Sequence, residues 1–202
     1  RQRPLLLGRV GAAAHGHVDC LCLLIENGAN PNYINPIHGS FPLSNGAAFR
    51  CVNCVRVLLE KRADVNLIDI NKAFIPLISA ITFRFSLKCY GDGRRVEVVK
   101  ELLERGADPN IANSNGTTPL MHAYFHGHVE CLRLSLNKGG DPNRVNANGQ
   151  TPMQFAAAKN NIECPSHVFG QGWRSQSLGR HWKKFDHLGG EQQRSQLYLS
   201  SG

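Results

Sequence analysis

The chain has 202 residues, of which 42% are hydrophobic and 19% charged, and its 23 Lys and Arg against 15 Asp and Glu give a net charge of +8. That composition supports a buried core and excludes a disordered acidic or basic tail protein. The charge is spread, +5 over residues 1–164 and +3 over the last 38, with no dense basic run, so nucleic acid is disfavoured as a partner.

The opening RQRPLLLGRVGAAAHG has a basic start, but its apolar run Leu5–Leu7 is too short for the apolar stretch of a signal peptide. Arg1 rather than methionine opens the chain, so its natural start is expected upstream. No stretch approaches the ~20 apolar residues that span a bilayer, so no membrane partner is expected. Seven cysteines without a secretory signal point to a reducing compartment, either cytoplasmic or nuclear.

Val18, Leu21, Leu24 and Ile25 lie at the spacing of one helical face. The loop NGANPN follows, ending at Asn32, and Pro42 then opens a second helical stretch. The same pair of signals returns along the chain. Loops end at Asn32, Asn66, Asn110 and Asn143, spaced by 34, 44 and 33 residues. Prolines stand at Pro42, Pro76, Pro119 and Pro152, spaced by 34, 43 and 33. Proline suits a first helical turn, where its missing N–H costs nothing, and Thr118 and Thr151 are placed to cap. Val52, Val55, Leu58 and Leu59 repeat the apolar face, as do Val96, Val99, Leu102 and Leu103. Gly28 and Gly106 fall where a left-handed helix end is expected, and Arg62 takes that place once. Each unit is therefore helix, turn, helix and extended loop, repeated with a fixed period.

GTTPLMHA from Gly116, HGHVEC from His126 and ERGADPN from Glu104 closely resemble the ankyrin-repeat consensus, and the resemblance runs from residue 5 to 164. It implies an all-α solenoid of stacked helix pairs with hairpin loops, about four and a half repeats long. The expected boundaries are an N-terminal stub over 1–4, repeats over 5–38, 39–72, 73–115 and 116–148, a truncated repeat over 149–164, and a tail over 165–202. The wording of the second and third repeats further resembles ankyrin-repeat and MYND-domain proteins, of which this chain would be a fragment or isoform, although no MYND zinc-ligand series is present.

Three departures stand out. The third repeat carries ten extra residues around RFSLKCYGDGRR, where Gly91-Asp92-Gly93 reads as a turn; a tolerated surface insertion and a partner-specific finger both fit. The fourth has Ser135 where its siblings have Leu24, Leu58 and Leu102, and so is expected to be soft. The fifth stops at Pro165, and the Gly-, Ser- and Gln-rich tail reads as disordered, as from an alternative exon, with a C-terminal cap as the competing interpretation.

Cys20-Leu21-Cys22 and Cys51-Val52-Asn53-Cys54 have the close thiol spacing of zinc sites. Cys20, Cys54, Cys131 and Cys164, however, share one slot of the repeat, which points to small buried packing. His15-Gly16-His17 and His126-Gly127-His128 both fall at the turn between paired helices. No phosphate-cradling loop, nucleophile elbow or HExxH helix is present, so neither catalysis nor a cofactor, metal or small-molecule substrate is expected.

The resemblance implies a protein-binding scaffold or adaptor, or alternatively a substrate-recognition subunit of a larger complex such as a ubiquitin ligase. Its ligand-facing positions map to Ser40, Lys72, Thr117 and Gln150 near the loops and to Phe49, Phe83, Phe125 and His126 at the ends of first helices, with Arg50 and Arg84 following two of the aromatics. The alternative is that these rings pack into the core. LLEKRADVN, ending at Asn66, also resembles ankyrin loops modified by the oxygen-sensing asparaginyl hydroxylase, whereas Asn32 and Asn110 follow a proline and Asn143 lacks the leucine; the alternative is that Asn66 simply stabilises its hairpin.

Overall fold

The computed structural model describes residues 16–69, 75–82 and 92–158. Among the described residues there are eight α-helices and no strand. They are α1 (Val18–Glu26), α2 (Pro42–Ala48), α3 (Val52–Glu60), α4 (Pro76–Thr82), α5 (Asp92–Glu104), α6 (Pro119–His126), α7 (Val129–Asn137) and α8 (Pro152–Ala158). The proline-headed helices α2, α4, α6 and α8 pack in one row, and α1, α3, α5 and α7 in a second. Contacts of α2 with α3, α4 with α5 and α6 with α7 join the rows. The architecture is an all-helical solenoid of repeats.

Short helices of seven or eight residues are marginal alone and depend on packing. Every residue from Pro42 to Ala48 is buried, as is every residue from Pro76 to Ile81. Thr118 Oγ1 caps α6 by accepting the N–H of Met121 at 3.3 Å, and Ser44 secures α2 by donating to the Phe41 carbonyl at 2.8 Å. In the other row Leu21, Val55, Val99 and Leu132 hold one slot, none more than 1% exposed. Each such side chain removed from water contributes about 1.5–3 kcal/mol.

The third repeat differs from its expected form. Gly91 lies outside the described residues, but Asp92 and Gly93 belong to α5, which has 13 residues against nine in α1, α3 and α7. The cost of Gly93, about 0.5–1 kcal/mol in a helix interior, is offset by the burial of Val98 and Val99. The longer helix carries Arg95 into the core, 4% exposed.

In the fourth repeat Ser135 is fully buried, and its hydroxyl has no hydrogen-bond partner among the described residues. A Cβ on Gly140, the slot of Ala29, Ala63 and Ala107, would lie 2.9 Å from the Ser135 carbonyl oxygen, and the Gly140 N–H donates to that carbonyl at 2.9 Å, as its counterparts do in the other repeats at 2.8–3.0 Å.

Candidate functional site

The loops between repeats are tied by asparagine. Asn32 Oδ1 accepts the N–H of Asp64 at 2.7 Å while its Nδ2 donates to the Arg62 carbonyl at 3.3 Å. Asn66 does the same with Asp108 and Gly106, and Asn110 with Asp141 and Gly139. Asp64, Asp108 and Asp141 each accept the N–H two residues on, which shapes the turn that offers the next asparagine. A second series, Asn35, Asn113 and Asn146, closes the hairpins. Their backbone N–H groups donate to the carbonyls of Ser40, Thr117 and Gln150 at 2.8, 3.1 and 3.0 Å. Neighbouring hairpins touch, with Ala147 N–H donating to the Asn115 carbonyl at 3.0 Å. Gly116, at φ 72°, is required here because a Cβ would come within 2.8 Å of the Ala147 nitrogen.

The loop positions expected to face a partner are thus split. Ser40 and Thr117 are buried and close their hairpins, whereas Gln150 is exposed. At the helix ends Phe49, Arg50, Phe125 and His126 are all half-buried. Phe125 meets His126 edge-on at 5.1 Å between centroids and Phe155 of α8 at 6.1 Å. Lys72, Phe83 and Arg84 lie outside the described residues.

Two features here are invisible in the repeat pattern. His126 stacks on His128 at 5.6 Å and on His122 at 6.5 Å, so the turn histidines form one row of rings. Arg95 Nη1 donates to His128 Nδ1 at 3.0 Å; a guanidinium only donates, so His128 is neutral with its proton on Nε2. Burial, and secondarily His126, lower the His122 pKa to about 4. The second feature is Arg50, whose φ of 57° places a non-glycine residue in the slot held by Gly16 and Gly127.

On the outer helices Arg56 of α3 bridges to Glu101 and Glu97 of α5 at 3.0 and 3.3 Å, and Glu101 also pairs with Arg105. Glu101 is largely covered by these two arginines. Among the described residues no group of three His, Cys, Asp or Glu is placed to hold a metal ion, and no helix is long and apolar enough to cross a membrane.

A family model described as ankyrin repeats in three copies matches residues 85–168, and one for a single ankyrin repeat matches residues 12–36. The chain carries ankyrin repeats. It is similar to Ankyrin repeat protein nuc-2 of Neurospora crassa, 31% identical over 124 residues, which are 61% of this chain and 10% of that protein. It is similar also to Ankyrin repeat, SAM and basic leucine zipper domain-containing protein 1 of Microcebus murinus, 39% identical over 95 residues, 45% of this chain and 18% of that protein. The chain thus spans between a tenth and a fifth of the length of these curated relatives. Ankyrin repeats generally mediate protein–protein interaction and are typically non-enzymatic.

Proposed function

We propose that this chain is a scaffold or adaptor that binds a protein partner across the concave face of its repeats. Phe49, Arg50, Phe83, Arg84, Phe125 and His126 supply the contacts at the helix ends. Lys72 and Gln150 add contacts from the loops, with Ser40 and Thr117 setting the hairpins from beneath. The observation that carries this is Arg50. A left-handed conformation costs a non-glycine residue about 1–2 kcal/mol, and the repeat admits glycine in that slot at Gly16 and Gly127. Arg62 is left-handed too, so what sets Arg50 apart is its place beside the half-buried Phe49. Arginine beside a half-buried aromatic is also the composition of interface hot spots, where truncation costs ~2 kcal/mol or more in binding.

The test is capture of a partner from a cell lysate by the 202-residue chain, beside the melting temperatures of Arg50→Gly, Phe49→Ala and Phe83→Ala. Arg50→Gly is expected to melt higher and capture less. Loss of folding in both phenylalanine variants, with capture intact in Arg50→Gly, would return these residues to the core.

A further inference from the structure

Cys51 and Cys54 stand three residues apart across the N-terminus of α3, in different environments. Cys51 is the N-cap, partly exposed, and its Sγ accepts the N–H of Cys54 at 3.3 Å. Cys54 is wholly buried one turn on. Repeat packing accounts for Cys54, since Cys131 is buried in the same slot; Cys20, in that slot of the first repeat, is exposed, contrary to the buried packing expected for it. Such packing does not account for Cys51. His17 and His128 hold the Cys51 slot in their repeats, and neither side chain caps its helix. The thiol cap is peculiar to this repeat.

We propose that Cys51 and Cys54 form a redox-active dithiol, in which Cys51 is the attacking thiolate and Cys54 the resolving thiol. The cap supplies what an attacking thiolate needs, an N–H donor and the positive end of a helix dipole. The hydrogen bond with the Cys54 side chain, the main influence, and the nearby Arg94 charge both lower the Cys51 pKa, to about 6 overall. A side chain on the first helical turn leans back toward the cap. Cβ atoms three residues apart on a helix lie about 5–6 Å apart, against about 3.5–4.5 Å in a disulfide. Closure needs a shift of roughly 1–2 Å, taken up at Cys51, whose φ and ψ of −83° and 88° lie outside the helix.

The oxidant class is a hydroperoxide. The Cys51 thiolate attacks the peroxide, forming S–O and breaking O–O, and the alkoxide or hydroxide leaves as the alcohol or water. Cys54 sulfur then attacks the sulfenyl sulfur, forming S–S, and the departing hydroxide takes the Cys54 proton as water. Two electrons pass from the two thiols to one peroxide, and a dithiol reductant reverses the change.

Trypsin cutting after Arg50 and Arg56 releases both cysteines in one peptide, Cys51 to Arg56. The full-length reduced chain is treated with hydrogen peroxide, blocked with N-ethylmaleimide and digested. The expected product is that peptide two hydrogens lighter than the dithiol and restored by dithiothreitol. In the reduced chain, alkylation of Cys51 at pH 7 should be several-fold faster than that of exposed Cys20. Cys51→Ser keeps a capping oxygen and so the fold, and there Cys54 should remain open to maleimide after peroxide and denaturation. A peptide that stays a dithiol, a Cys22–Cys54 bond instead, or Cys51 no more reactive than Cys20 would each overturn the proposal.

Discussion

Asn66 Oδ1 accepts the backbone N–H of Asp108 at 2.8 Å, and its Nδ2 donates to the Gly106 carbonyl at 3.1 Å, so one side chain from the second repeat satisfies two backbone groups of the third. Asn66→Ala is expected to cost about 1–3 kcal/mol by removing these bonds. Repeat stability is a sum of unit and neighbour terms, so the loss should broaden the denaturant transition as well as shift its midpoint. A shift of a few tenths of a kcal/mol with unchanged sharpness would show that stacking alone couples these repeats.

The same residue is the expected hydroxylation site. Co-expression with an asparaginyl hydroxylase should add one oxygen at Asn66 and none at Asn32 or Asn110, where proline precedes the asparagine. Peptide mass spectrometry decides it, and an unmodified Asn66 ends the idea.

The helices were legible because proline, glycine and the Asp and Asn turns punctuate them at a constant period, and because apolar spacing fixes the buried face of α3. The asparagine ladder was not, although its residues were in plain view as loop markers. A bond from Asn66 to Asp108 reaches across 42 residues and exists only once the repeats are stacked. Arg95 was hidden for a related reason. The inserted residues break the register of the third repeat, and an arginine at the head of a helix reads as solvated until four extra helical residues carry it inward. Cys51 and Cys54 look alike in sequence, and repeat equivalence explains only one of them.

Arg62 sits at φ 65° in the slot where Gly28, Gly106 and Gly139 have φ between 83° and 89°. It is exposed, and its backbone carbonyl rather than its side chain takes part in the ladder. Arg62→Gly should therefore relieve strain without losing a contact, raising stability by about 1 kcal/mol. Part of the gain is returned as the entropy of the freer unfolded chain. Chemical denaturation measures the difference, and a destabilised variant would mean that the guanidinium holds something in the folded state.

Ser135 has a buried hydroxyl with no hydrogen-bond partner among the described residues. An unsatisfied buried polar group costs about 1–3 kcal/mol, and Ser135→Ala deletes it while leaving the backbone contact with Gly140 untouched. The variant should gain about 1 kcal/mol, read as a higher denaturant midpoint with unchanged slope. Ser135→Leu would restore the sibling residue, yet Ser135 is already fully buried, and enlarging a side chain in a packed site costs about 1–3 kcal/mol. It should gain less than the alanine variant. If leucine stabilises more, the fourth repeat holds a cavity and the missing leucine, not the stranded hydroxyl, is its weakness.

His122 makes folding sensitive to mild acid. In the fold its pKa is lowered to about 4, chiefly by burial and secondarily by the charge of His126. In the unfolded chain it stays near 6.5. Below that value the unfolded chain binds a proton that the folded chain refuses, so stability falls as pH drops from about 6.5 and stops falling on this account below about 4. A shift of this size corresponds to about 3 kcal/mol across the window. The charged and titratable groups of this row are His126, His128 and Arg95, and protonating His126 or His128 beside it would push in the same direction. His122→Gln keeps a polar side chain without the titration. Denaturant unfolding of both proteins between pH 4 and 7 should give a shallower slope for the variant, by as much as one proton at the midpoint of the window. Equal slopes would mean that His122 takes its proton as readily in the folded repeat as in the unfolded chain, and that the histidine row is open to water.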